Sequence, residues 1–143
     1  MKMKIDPARI INLIGRILLA SVFLLTALVN KIPDFDHVVV QMAQEGVPFP
    51  RFMLIGAILF LLVGSLSLIV GFKARAGAVL LLIFTLSGTY FFHHFWTYTA
   101  PGQMQEHFKS FMKNVSISGG LLLIIANGPG AFSFDSQHSK KES

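Results

Sequence analysis

Residues 52–92 read "FMLIGAILFLLVGSLSLIVGFKARAGAVLLLIFTLSGTYFF", and Lys73 and Arg75 are the only charged side chains among them. The break at "GFKAR" (71–75) leaves an apolar run on each side. A helix rises roughly 1.5 Å per residue, so about 20 residues cross a hydrocarbon core of roughly 30 Å. The break is too short for anything but a tight turn, so the two runs must be antiparallel neighbours. Working outward, a third run covers Ile10–Val29, and a weaker one has its uncharged core at Val115–Ala126. The weaker run becomes long enough if it starts near Phe108, with Lys109 and Lys113 extending their charges to the interface. A re-entrant segment is the competing possibility for this last run.

The expected architecture is all-α, an integral membrane four-helix bundle. Its spans lie at about 10–29, 52–72, 76–95 and 108–126 of one domain over 1–136, with a polar cytoplasmic tail at 137–143. Composition agrees. Of the 143 residues, 53% are hydrophobic and 13% charged, against roughly 25% charged in soluble domains. Mean hydropathy is +0.64. The lipid bilayer is therefore the first partner. The net charge of +5 does not point to nucleic acid, because the basic residues fall between apolar runs and form no stripe. Cysteine is absent, which excludes disulfides and thiolate chemistry within the chain. The amino-terminal run is longer than the roughly 7–15 residues of a signal-peptide core, contains Arg16 and lacks a convincing cleavage site, so it is expected to be retained as a span.

Basic residues set the orientation. With the amino terminus inside, Lys2, Lys4, Arg9, Lys73, Arg75, Lys140 and Lys141 lie on the inner side, and Lys31, Arg51, Lys109 and Lys113 lie on the outer side. The excess inside favours cytoplasmic termini in a plasma (inner) membrane. The outer loop "DFDHVVVQMAQEG" (34–46) places Phe35, Val38, Val39, Met42 and Ala43 on one helical face. A short amphipathic interfacial helix between spans 1 and 2 is predicted, capped by Asp34 and closed by Gly46.

Polar groups within apolar runs are the candidates for function. Arg16 is costly in a span and should face the bundle interior or reach the interface; a structural clamp and a binding role both fit it. Glycines and serines recur along the spans, most densely at "SISGG" (116–120), and close helix packing is expected there. The third run ends in "FFHHFW" (91–96). His93 and His94 are adjacent and point about 100° apart on a helix, not side by side as a metal pair at i, i+4 would. No metal site is assigned. Trp96, Tyr90 and Tyr98 fit an aromatic belt. The outer rim also gathers Lys31, Asp34, Asp36, His37, Glu106 and His107, either as solvated loop or as a surface for a headgroup, a quinone or a charged partner.

Several stretches together resemble the DoxX family of small four-span bacterial membrane proteins. They are "GRILLASVFLLTALVNKIPDF" (15–35), "GVPFP" (46–50), "GSLSLIVGFKARAGAVLLLIF" (64–84), "FFHHFW" (91–96) and "FMKNVSISGGLLLIIANGPGAFSFD" (111–135). The matching residues include Arg16, Lys31, His94, Trp96, Lys113 and Asn114. Many relatives carry an acid early in the second span, where this chain reads "ILFLLVG" (58–64), so Arg16 lacks that ion-pair partner. The resemblance implies an accessory subunit of a membrane-associated redox complex, possible quinone binding, or a non-catalytic assembly or scaffold role with another membrane protein or a second copy as partner. For a ligand, the candidate residues are Arg16, Lys31, His93, His94, Trp96 and Asn114. No catalytic residue is assigned. A transporter is the weakest alternative, since no inverted repeat is evident.

Overall fold

The computed structural model describes residues 6–139. Lys2, Lys4, Lys140 and Lys141, and the end of the expected tail, lie outside the described residues. Six α-helices are present among the described residues: α1 (Pro7–Leu25), α2 (Phe35–Gln44), α3 (Pro50–Val70), α4 (Ala74–Phe92), α5 (Pro101–Asn127) and α6 (Phe134–Ser139). Four helical segments are long and apolar enough to cross a membrane: Pro7–Lys31, Pro50–Val70, Ala74–Thr97 and Pro101–Asn127. The protein is thus an all-α, four-helix membrane bundle.

Three of the four long helices begin with proline. Pro7, Pro50 and Pro101 occupy first turns, where a missing N–H is harmless and φ is already helical. Asp6 accepts a hydrogen bond from the Ala8 amide (3.0 Å), a side-chain cap of the usual kind. α5 begins at Pro101, earlier than the apolar pattern alone indicates, because its first turns are polar and run past the hydrocarbon.

α1, α3, α4 and α5 meet along a seam of Ala20, Phe23, Leu61, Leu68, Leu81 and Leu121. Outside the seam the polarity is inverted relative to a soluble protein. Leu18, Phe52 and Leu123 are more than 60% exposed, which only lipid tolerates on this scale. α3 and α4 cross in close contact. A Cβ on Gly64 would stand 2.6 Å from Leu81 Cγ, and one on Gly77 would stand 2.6 Å from Ser67. Small-residue packing therefore centres on this hairpin. At "SISGG", Ser118 is buried and Gly120 faces Leu19, whereas nothing lies within 4 Å of a Cβ on Gly119.

At the end of the bundle where α1 begins and α5 ends, the chain after α5 folds back over the "GFKAR" turn. The Asp135 carboxylate accepts from the backbone amides of Lys73 (2.8 Å) and Ala74 (3.1 Å). It thereby caps α4 from a site more than 60 residues away in sequence. Asp135 N–H returns a bond to Gly71 O (3.0 Å). Gly71 has φ +73° and a Cβ there would strike Ser133, so glycine is required both for the turn and for this approach.

At the opposite end, α2 lies against α3. Val38 and Met42 are buried with Val47 and Leu54, and Phe35, Val39, Ile58, Phe91 and Phe92 pack around them. Gly46, at φ +76°, closes the helix. Asp34 stands at the cap position without a side-chain bond. Asp36 instead pairs with Arg51 at 2.5 Å and ties the first turn of α2 to the start of α3.

Candidate ligand cavity at the α2 end

The helix of the first span changes pitch before it ends. Thr26–Lys31 is π-helical, and the Ile32 amide bonds to Ala27 O (3.0 Å), an i→i+5 link. A π turn widens the helix by one residue and redirects the side chains it carries. Here it aims both Thr26 and Lys31 into a cavity of about 590 Å³, within the roughly 300–1,000 Å³ typical of ligand sites. The walls are mostly apolar, with Phe23, Phe52, Phe60, Phe84 and Phe92 prominent. Gly56 and Gly88 line it, and nothing lies within 4 Å of a Cβ on either. These two glycines leave space where Gly64 and Gly77 close it.

Three of the six residues expected from sequence meet here: Lys31, His93 and Asn114. Lys31 Nζ sits 6.0 Å from the centroid of the Phe92 ring, a cation–π arrangement. Asn114 Nδ2 donates to Thr89 Oγ1 (2.9 Å), and Thr89 in turn donates to Thr85 O (2.7 Å). This chain ties α5 to α4 and fixes the amide. His93 Nδ1 is buried with no hydrogen-bond partner among the described residues, an orphan that calls for an explanation.

His94 and Trp96 are brought near the cavity without lining it. α4 stops at Phe92, and a 3₁₀ turn over Phe95–Thr97 follows, so the two histidines lie beyond the α-helix. The freed Phe92 carbonyl accepts from His107 Nδ1 (2.9 Å), which places the proton on that nitrogen. Tyr98 stacks on His107 with centroids 4.1 Å apart and on His94 at 5.7 Å. His94 Nε2 lies 4.0 Å from Glu45 Oε2, linking this stack to the end of α2. Trp96 packs on Phe95 (5.3 Å) and remains largely exposed. The rim is thus an aromatic and imidazole brace that holds α2 and the start of α5 around the cavity.

Arg16 belongs to the other end of the bundle. It is buried, and its guanidinium donates to Pro129 O (2.5 Å), Phe132 O (2.8 Å) and, weakly, Ile69 O (3.4 Å). Carbonyls of the post-α5 loop and of the end of α3 take the place of the carboxylate missing from the second span. Asn12, one turn earlier, abuts Gly130 (φ +81°).

Thr26, Gln41 and Lys113 also line the cavity and were not among the six. Lys113 was read as an interfacial charge and as a match to the family pattern, not as a ligand candidate; Gln41 and Thr26 carried no reading, since no sequence signal marks a π turn. No group of three or more His, Asp or Glu among the described residues is arranged to hold a metal.

A family model described as DoxX matches residues 11–94. Inner membrane protein YphA of Escherichia coli (strain K12) is 34% identical over 126 residues, covering 88% of this chain and 89% of that protein. Inner membrane protein YqjF of the same organism is 36% identical over 129 residues, covering 90% and 92%. A Surfeit locus protein 4 homolog of Drosophila melanogaster is 31% identical over 136 residues, 94% of this chain but 43% of that longer protein. No solved structure matches the chain.

Proposed function

The chain belongs to the DoxX family, and from that premise we propose that it is an accessory subunit of a membrane-associated redox complex that seats a quinone headgroup in the cavity at the α2 end. The observation that carries this reading is the placement of Lys31, His93 and Asn114 on the wall of one apolar cavity. Quinone oxygens are acceptors and need donors, while the ring and isoprenoid chain need apolar walls. His93 stands on the same wall, with its Nδ1 buried and unpartnered among the described residues. His94 and Trp96 hold the rim, and Arg16 supports the fold at a distance. The inner membrane is the proposed location, as the names of the two Escherichia coli relatives state for them. Cytoplasmic termini follow from seven basic residues against four when both chain ends are counted.

Protein purified from its native membranes in mild detergent should carry quinone on solvent extraction. Lys31→Met should reduce the retained quinone at least tenfold, with the thermal midpoint close to wild type. Wild-type protein that carries none would overturn the reading.

A scaffold role is favoured by one specific feature, the open strip on α5 at Ser116 and Gly119 beside the exposed Val115, Leu122 and Leu123. Small residues on a free face let a second helix approach, from another membrane protein or another copy. On this reading Gly119→Leu abolishes a higher-mass species on native gels and leaves quinone content unchanged.

A further inference from the structure

We propose that the cavity at the α2 end also accepts single-chain amphiphiles whose head is an anion, a carboxylate or a phosphate, and that these exclude quinone from it. The proposal rests on the quinone reading only for the competition; the anion site stands by itself.

The argument is the charge of the lining. Lys31 and Lys113 both contribute to the wall, and no Asp or Glu does so among the described residues. Neither lysine has a carboxylate within 4.0 Å there. Asp36 is engaged by Arg51 and Glu45 faces His94. The two cations are therefore uncompensated and share one cavity with Phe, Ile and Val side chains. A lone ammonium at membrane depth is expensive and normally finds a partner. Lys31 is half-buried beside this cavity, whereas Lys113 is exposed near the polar start of α5. The half-buried Lys31 is screened by salt less than an open surface lysine would be.

The remaining polar groups fit the same occupant. His93 contributes to the wall, with its Nδ1 buried and without a partner among the described residues. Asn114 has a second amide N–H beyond the one given to Thr89. Thr26 uses its hydroxyl hydrogen on Val22 O (2.7 Å). The set is rich in donors toward a head with several acceptor oxygens. The 590 Å³ of space suits a head with one hydrocarbon chain, not a two-chain lipid. The neutral quinone uses the donors but leaves both cationic charges unanswered; an anion answers them.

The experiment uses the full chain in phosphatidylcholine nanodiscs, with protein-free nanodiscs subtracted. Radiolabelled oleate, methyl oleate and 1-oleoyl lysophosphatidic acid are titrated at a pH where the carboxyl is ionised. Saturable binding is expected for one or both anions, and at least tenfold weaker binding for the ester. The relative strength of oleate and lysophosphatidic acid identifies the preferred head. Lys31→Met with Lys113→Met should remove the anion preference, and the Arg pair at the same positions should restore it. Lys109→Met, on the same helix but outside the cavity, should change nothing and controls for general surface charge. Equal binding of acid and ester overturns the proposal, as does a Met pair that binds anions like wild type. Retained quinone is measured in the same samples. Quinone held while anions are rejected refutes the anion site and leaves the quinone reading intact. Anions bound without any quinone do the reverse.

Discussion

Replacing Arg16 by Met tests whether a single guanidinium holds the two ends of the chain together. Its two good hydrogen bonds go to Pro129 O at 2.5 Å and Phe132 O at 2.8 Å; the third, to Ile69 O, is long at 3.4 Å. Bonds to a charged donor contribute about 1.5–3 kcal/mol each, and a buried carbonyl left without a donor costs about 1–3 kcal/mol. Against this stands the cost of holding arginine in a span, about 2.5–3.5 kcal/mol at the centre and less toward an end, where Arg16 lies. Two stranded carbonyls at a half-exposed rim, less part of the relieved burial, give a loss of about 2–4 kcal/mol. Lys at the same position keeps the charge and loses the fork that spans two carbonyls, so it should fall between Met and wild type. Unfolding by sodium dodecyl sulfate in mixed micelles, followed by far-ultraviolet circular dichroism, measures both. Limited proteolysis should also open the segment after Asn127 in the Met variant first. A Met variant within about 0.5 kcal/mol of wild type, a surface-like value, would refute the clamp.

Gly64→Ala should lower stability by about 1–3 kcal/mol, as overpacking does, because its Cβ meets Leu81 at 2.6 Å. Gly56→Ala meets nothing within 4 Å and should match wild type in the same detergent titration. Asp135→Ala frees the amides of Lys73 and Ala74 and should cost about 1 kcal/mol, the usual loss for a helix cap; hydrogen exchange at those two amides should accelerate. Gly56→Leu with Gly88→Leu fills the cavity from two walls, and retained quinone should fall at least tenfold while the unfolding midpoint holds.

The bundle was legible because its evidence is local. Four apolar runs, the "GFKAR" turn and the period of Phe35, Val38, Val39 and Met42 each specify one element from neighbouring residues alone. The site was legible only in part, because it depends on contacts across the fold. Lys31, His93 and Asn114 come from three elements and share a cavity that no spacing encodes. The partners of Arg16 are backbone carbonyls 53 to 116 residues away, and every residue type supplies such a carbonyl. A carboxylate in the second span was the natural partner to seek from sequence; a loop that folds back with Gly128 and Gly130 at positive φ supplies backbone carbonyls in direct contact instead.

The glycines show how one residue type serves two opposed ends. Gly64 and Gly77 face backbone and side chains at contact distance, so there the missing side chain brings α3 against α4. Gly56 and Gly88 lie on the same two helices, nearer α2, and face open space. The α3–α4 pair is therefore closed at one level and parted at another. A bundle sealed throughout would need only the first kind, and an unpacked one would have only the second. Their separation along the same helices, with the π turn bringing Thr26 and Lys31 to the open level, gives the cavity a fixed place in the fold. The combined filling of Gly56 and Gly88 tests that link most directly, because it alters the open level and leaves the α3–α4 contact intact. Loss of both stability and ligand would mean that the two levels are one packing unit, and the division drawn between them would fail.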